Sequence, residues 1–150
     1  MNDELLSMAA CEGREGEVLG DGGPFGAIIT DMDGNIVCRE HNRVLSNNDP
    51  TAHAEVMAIR KACDILNTYD LSNYILYSSC EPCPMCLSAI IWSNIKKVYY
   101  GADRYNAEDA GFRDSMIYDY LNKKNNILEK EYKKNAICID ILEKYKGEVY

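Results

Sequence analysis

The chain has 150 residues, of which 47% are apolar, 16 basic and 24 acidic. This length and composition indicate one globular domain spanning residues 1–150, which excludes a multidomain or disordered protein. The net charge of −8 repels polyanions, so we expect no broad binding to nucleic acid. No apolar run approaches the ~20 residues of a membrane span, and the N-terminus carries acids where a signal peptide has a basic start.

The cysteines indicate a reducing compartment. Their number, seven, is odd, and they are scattered among apolar neighbours. Secreted mini-proteins instead use even numbers of cysteines to frame loops. We therefore predict reduced thiols, no membrane partner and a cytoplasmic location.

Helical and strand-like segments alternate over the first hundred residues. Apolar residues at helical spacing predict helices, and short apolar or aromatic runs predict strands. Asp33-Gly34 lies between two such runs and is a strong hairpin signal, so the first two strands should pair antiparallel. The predicted elements are a helix over 3–19, strands over 25–30 and 35–39, a helix from near residue 53, a strand over 74–79, a helix over 84–92 and a strand over 97–100.

This alternation predicts the fold class. Strands that alternate with helices are typical of an α/β layered domain, here with a mixed sheet, the hairpin at one end and helices on both faces. Beyond Tyr120 the lysine- and asparagine-rich segment 122–126 breaks the pattern. The remainder, about 121–150, is polar enough to be a surface helix or an arm that contacts a partner.

Two short motifs could form a metal site. His53-Ala54-Glu55 opens one predicted helix, and Cys83 and Cys86, in the segment PCPMC, open the next. Catalytic zinc keeps three protein ligands, usually nitrogen or sulfur, and leaves its fourth position for water. One imidazole and two thiolates satisfy this requirement, and free amides at a helix N-terminus favour the thiolate form. We therefore predict that His53, Cys83 and Cys86 bind zinc.

Glu55 is the candidate group for moving protons at this site. A carboxylate beside the metal but not bound to it can take a proton from water and pass it to the leaving atom. Residues two apart on a helix point to opposite sides, so His53 and Glu55 share no ordinary helix face. The site is therefore expected off the N-terminal end of the helix, with two helix N-termini directed at one ion.

The spacing alone also fits other sites. Cys80, Cys83 and Cys86 could join His53 in a closed structural zinc site or contribute to an iron–sulfur cluster, and C-x-x-C could be a redox pair. Catalytic zinc is favoured because a closed structural site has no use for a carboxylate such as Glu55. If it is not a ligand, Cys80 is a buried thiol at a strand end.

Together, H-x-E and P-C-x-x-C form the signature of zinc nucleobase deaminases. The chain resembles the cytidine-deaminase-like superfamily and, within it, the bacterial guanine deaminases, over roughly residues 1–120. The segments that carry this resemblance are GGPFGA at 22–27, SNNDPTAHAE at 46–55, SCEPCPMC at 79–86 and AGFRDS at 110–115.

The resemblance implies a fold and a reaction. The fold would be a three-layer α/β/α sandwich around a five-stranded mixed sheet, with one zinc per subunit on His53, Cys83 and Cys86. Hydroxide would attack the carbon that bears the exocyclic amine, with Glu55 as proton shuttle, so that guanine becomes xanthine and ammonia. Backbone amides near Ala54 and Cys83 would orient the reacting group.

The resemblance also implies residues that bind a purine base. Phe25 would form a ring wall, and the amide of Asn42 would reach the imidazole nitrogens. Asp114 would accept from N–H groups of guanine, whereas adenine presents a bare acceptor at ring N1. The alternative interpretations of these residues are a core phenylalanine, a turn asparagine at a strand end and a helix cap.

In the guanine deaminases a C-terminal segment swaps across a homodimer. By that resemblance, residues 121–150 would form the arm and Tyr150, the last residue, would cover the partner's site as a lid. Glu131 would be a second proton shuttle, although its lysine-rich neighbourhood equally suits a solvated helix face. His41, the second histidine, is expected to be structural or to lie outside the ligand set.

The leading hypothesis is a homodimeric zinc enzyme of purine salvage that deaminates guanine. The main alternative is a transfer-RNA adenosine deaminase, against which the charge of −8 and Asp114 argue. Guanosine, cytosine and triazine deaminases are further alternatives, and a lid at Tyr150 would disfavour the nucleoside. A zinc-stabilised binding module without turnover is the alternative from another class of protein.

Overall fold

A computed structural model describes residues 2–150 of the chain. All seven predicted helices and strands up to residue 100 are confirmed, while three short helices (α2, α5 and α6) were not predicted. The helices are α1 (Asn2–Leu19), α2 (Val44–Asn47), α3 (Ala54–Leu66), α4 (Pro84–Trp92), α5 (Arg104–Asp109), α6 (Ser115–Leu121) and α7 (Ala136–Glu143), and the strands are β1 (Gly26–Asp31), β2 (Ile36–His41), β3 (Tyr74–Cys80) and β4 (Lys97–Ala102).

The strands form a mixed sheet in the order β2-β1-β3-β4. β1 pairs antiparallel with β2 and β3, and β3 pairs parallel with β4, which confirms the hairpin at one end of the sheet. The expectation of five strands is wrong, because the residues described form four. Directly after β4, the side chain of Asp103 accepts hydrogen bonds from the amides of Tyr105 and Asn106 and starts α5, so the chain becomes helical at once.

The side chains of β1 alternate between two apolar clusters. Ala27 and Ile29 pack in a cluster with alanines of α3, and Ile28 packs with Leu5 and Ala9 of α1. Because successive side chains of a strand point to opposite faces, α1 and α3 contact β1 from opposite faces. α3 therefore packs against the face of the sheet opposite to α1.

α1 approaches β1 so closely that Gly26 has no room for a side chain. A Cβ at Gly26 would overlap the carbonyl oxygen of Ala9 and lie 2.7 Å from the nitrogen of Gly13. We expect Gly26→Ala to lower the free energy of unfolding by about 1–3 kcal/mol in urea denaturation. Gly101→Ala is the control, since a Cβ there meets its nearest atom at 3.5 Å, an ordinary contact. Equal stability of the two variants would contradict the close approach.

The chain divides into two compact units, Met1–Ser115 and Met116–Tyr150. The first contains the sheet and α1 to α5. No residue of the second unit, all of which the structure describes, is buried. Its helix α7 leaves Ile137, Ile141 and Leu142 71%, 65% and 77% exposed. Within residues 2–150, no helix combines the length and the apolar character needed to cross a membrane.

Candidate active site

Three metal-donor side chains converge where two helices begin. His53 is the N-cap of α3 and Cys83 the N-cap of α4, both with extended backbone, and Cys86 lies in the first turn of α4. The Nδ1 atom of His53 lies 3.6 Å from the sulfur of Cys83 and 3.5 Å from that of Cys86. The three donor atoms lie within 4.8 Å of one another and could hold a metal ion. Residues two apart on a helix point to opposite sides, but His53 is an N-cap with extended backbone and precedes the helix. His53 and Glu55 can therefore approach the same site.

The donor set fits zinc with an open coordination position. One imidazole nitrogen and two thiolate sulfurs are ligands that zinc prefers, and three ligands leave a fourth position for water. Among residues 2–150 the donor group contains only these three side chains, and Cys80 is not one of them. The thiol of Cys80 instead donates to the carbonyl oxygen of Asp103 at 3.7 Å. This geometry favours the catalytic over the closed structural site.

The two sulfurs differ in their affinity for protons. Hydrogen bonding with Cys86, and then with His53, lowers the pKa of Cys83 to about 4, against the opposing effect of burial. The hydrogen bond with Cys83 and burial raise the pKa of Cys86. The hydrogen bond with Cys83 also raises the pKa of His53. The two thiols therefore titrate as a pair, and binding a metal to both sulfurs displaces the remaining proton.

Glu55 lies in the first turn of α3 and is only 6% exposed. Burial raises its pKa, and a hydrogen bond with Cys86 acts in the opposite direction. Its carboxylate lines the same cavity as His53 and Cys83. A carboxyl group with a raised pKa beside a metal site is suited to accept and return a proton.

The cavity above these groups has a volume of about 220 Å³. Phe25 and Phe112 form one wall, with ring centroids 4.9 Å apart and ring planes at 88°, an edge-to-face pair. Asn42 and Asp114 add polar groups to the lining, together with Glu55. A cavity with an aromatic wall and several polar groups can bind a planar heterocycle.

The polar groups of the cavity have distinct hydrogen-bonding capacities. The Oδ1 atom of Asn42 accepts a hydrogen bond from the amide of Val44 at 2.9 Å, which leaves the Nδ2 group as the donor available to a ligand. Burial, followed by the negative charge of Cys83, raises the pKa of Asp114. An ionised Asp114 can only accept hydrogen bonds. The lining thus offers Asn42 as one donor and Asp114 as one acceptor to a bound ring, among other charged groups that include Arg104 and Arg113.

The structure also describes the other residues predicted from the sequence. Ala54 is fully buried as the first residue of α3. Glu131 and Tyr150 belong to the second unit and are exposed, Tyr150 by 77%, so their roles remain predictions. His41 stands outside the donor group, with its ring nitrogens 2.9 Å from Glu12 and 2.7 Å from Asp21.

Sequence reasoning missed Phe112 and Glu81. Phe112 contacts Phe25 and lies two residues before Asp114, so the segment AGFRDS already contained the signal. The carboxylate of Glu81 accepts from the amide of Arg104 at 2.8 Å and links the loop that carries Cys83 to the start of α5. Both residues line the cavity.

An open three-donor metal site with an adjacent buried carboxylate, built on helix N-termini beside a mixed sheet, is the arrangement of a zinc hydrolase. The chain belongs to the cytidine and deoxycytidylate deaminase family, whose zinc-binding region matches residues 1–102. This match confirms the zinc prediction and the resemblance inferred from the motifs.

The chain is similar over most of its length to individual deaminases of known name. The chain is 53% identical over 124 residues to guanine deaminase of Bacillus subtilis. The alignment covers 82% of this chain and 79% of that protein. A crystal structure of the Bacillus subtilis guanine deaminase superposes with a TM-score of 0.89 and 41% identity over 99% of this chain and 97% of the other. The chain is also 38% identical to a tRNA-specific adenosine deaminase of Haemophilus influenzae, over 85% of this chain and 72% of that protein. The fold is therefore cytidine-deaminase-like.

Proposed function

We propose that this chain catalyses the hydrolytic deamination of guanine to xanthine and ammonia in purine salvage. The observation that carries the proposal is the single cavity that joins His53 and Cys83 to Glu55, Asn42 and Asp114. Its volume of about 220 Å³ lies below the roughly 300–1,000 Å³ of sites for drug-sized ligands, which favours a free base over a nucleoside. The 53% identity to guanine deaminase of Bacillus subtilis selects guanine among the bases.

The residues of the cavity have separate tasks in this reaction. Zinc bound by the His53, Cys83 and Cys86 donors would lower the pKa of water and so supply the nucleophile. Glu55 accepts a proton on its carboxylate and delivers it to the exocyclic nitrogen, which leaves as ammonia. The sum is one water and one guanine converted to xanthine and ammonia.

Binding orients the base for this step. Asp114 accepts from the N–H groups of guanine, and the Nδ2 group of Asn42 donates to an imidazole nitrogen. The edge-to-face pair of Phe25 and Phe112 packs against the ring. Adenine, with an acceptor at N1, would leave a buried carboxylate facing a lone pair, which costs about 1–3 kcal/mol or more.

The test is ammonia release by the zinc-loaded protein with guanine, guanosine, adenine, cytosine and an unmodified transfer RNA at matched concentrations. We expect turnover of guanine alone. Turnover of the RNA would favour the adenosine deaminase activity named for the Haemophilus influenzae relative. If the zinc-bound protein releases no ammonia from any of the five substrates, the result would favour a binding module without turnover.

Asp114→Asn tests the choice of base. The amide is similar in size but lacks the charge that accepts from guanine, so we expect KM for guanine to rise about 10–100-fold, the value of a hydrogen bond to a charged group. Steady-state kinetics measures this change. Asp109→Asn, at an exposed position of α5, is the matched control. An unchanged KM for Asp114→Asn would exclude Asp114 from base recognition.

We further propose a homodimer in which residues 121–150 swap between subunits, with Tyr150 as a lid and Glu131 as a second proton shuttle. Exposed apolar side chains on α7 support the proposal, because a short segment without buried residues needs a partner surface. Sedimentation is expected to show a dimer, which Ile141→Glu weakens and Asn122→Glu, an equal charge change at an exposed site, does not. Only monomer for the intact protein would contradict the dimer.

The proposal also includes the layer architecture of the fold and the location of the protein in the cell. The opposite placement of α1 and α3 on β1 supports a three-layer α/β/α sandwich. Each of the seven cysteines is a free thiol, which supports a location in the reducing cytoplasm.

A further inference from the structure

One carboxylate contacts both sequence neighbours of Asn42. The Oδ2 atom of Asp21 accepts hydrogen bonds from His41 Nε2 at 2.7 Å and from Arg43 Nη1 at 3.2 Å. The backbone carbonyl of Asp21 also accepts from two amides of α2, at 3.0 and 3.1 Å. Asp21 therefore contacts the chain on each side of the cavity residue Asn42 without lining the cavity itself.

His41 is anchored at a second point. It is 5% exposed, and its Nδ1 atom lies 2.9 Å from the carboxylate of Glu12 in α1. α1 packs so closely here that a Cβ at Gly16 would overlap the imidazole ring. The ring is therefore held between two carboxylates, which leaves it little freedom to shift the end of β2.

The residue after Asp21 contacts the amide of Asn42 directly. A Cβ at Gly22 would overlap the Oδ1 atom of Asn42. That oxygen accepts from the amide of Val44 at 2.9 Å, and the backbone nitrogen of Asn42 donates to the carbonyl of Phe25 at 3.0 Å. The Asp21-Gly22 segment thus holds the amide with Oδ1 occupied and Nδ2 available to a ligand.

We propose that Asp21 is a positioning residue that directs the Nδ2 group of Asn42 toward an acceptor atom of the bound purine. The inference deepens the proposed function and rests on it for the nature of the ligand. A side chain already held in its binding orientation loses less freedom when the ligand arrives, so the effect belongs to binding rather than to the chemical step. The fixed orientation also selects bases with an acceptor at this edge.

A double-mutant cycle tests whether Asp21 acts through Asn42. Asp21→Asn is expected to raise KM for guanine about tenfold, with kcat and zinc content at the wild-type level. The same change in an Asn42→Ala background should add no further rise. Asp31→Asn is the matched control, because the carboxylate of Asp31 also accepts hydrogen bonds from two residues but lies at the opposite end of β1 from Phe25. Equal rises of KM in both backgrounds would overturn the proposal.

A second variant and a readout without turnover complete the test. Gly22→Ala should raise KM in the same way, while Gly101→Ala should not. In ¹⁵N spectra, the side-chain amide resonances of Asn42, assigned with Asn42→Ala, should move in Asp21→Asn and stay in Asp31→Asn. If the wild type leaves guanine unchanged, the proposed function is wrong, and the spectra still decide the positioning role. Unmoved Asn42 resonances in Asp21→Asn would overturn it.

Discussion

We expect Glu55→Gln to lower kcat for guanine by about 10²–10⁴-fold, the usual contribution of a general acid–base group, while the protein keeps its zinc. Glutamine has the size of glutamate but cannot carry the proton from water to the amine. Glu55 is 6% exposed and lines the cavity beside His53 and Cys83 without belonging to the donor group. Loss of turnover should therefore leave metal content unchanged.

The measurement combines steady-state ammonia release with the zinc content of each purified variant. Glu15→Gln, at an exposed position of α1, is the matched control and should behave as wild type. Wild-type kcat in Glu55→Gln would remove Glu55 from the mechanism. Loss of zinc together with activity would instead place Glu55 among the metal ligands.

We expect Cys86→Ser to lose both zinc and turnover. Cys86 is fully buried, and its sulfur is 3.5 Å from the Nδ1 atom of His53. A serine hydroxyl is a poor ligand for zinc at neutral pH, and two donors hold the ion far more weakly than three. Because bound metal stabilises the folded state, by about 4 kcal/mol at a thousandfold excess over Kd, the thermal midpoint should also fall.

Cys80→Ser is the matched control for this prediction. Its thiol donates to the carbonyl of Asp103 at 3.7 Å, a contact that a hydroxyl can replace, so zinc content and activity should remain. Metal analysis and ammonia release measure both variants. Loss of zinc from Cys80→Ser would support the closed structural site with Cys80 as its fourth ligand. Retention of zinc in Cys86→Ser would exclude Cys86 from the ligand set.

Much of the fold followed from local signals. The Asp33-Gly34 pair predicted the hairpin of β1 and β2, and it is present. The prediction of a fifth strand was wrong. It came from the family resemblance, whereas in the structure the side chains of Asp103 and Asn106 cap a helix directly after β4.

The metal site was predictable for a different reason. His53 and Glu55 cannot share a helix face, so a site that uses both had to lie beyond the helix end, and His53 is indeed the N-cap of α3. Phe112 could have been found in the segment AGFRDS, whereas Glu81 could not be assigned in this way. Its contact with the amide of Arg104 joins residues 23 apart in sequence, which no local pattern encodes.

The amino-acid sequence by itself determined the donor types, the starts of α3 and α4 and the acidic charge, because capping, thiol chemistry and ionisation depend on neighbouring residues. Only the tertiary structure decided that Phe25, Asn42 and Asp114 share one cavity with the donor group. It also decided that Asp21 contacts both neighbours of Asn42. These contacts join residues that are distant in sequence, and their pairing is selected by the packing of helices on the whole sheet rather than by any single segment.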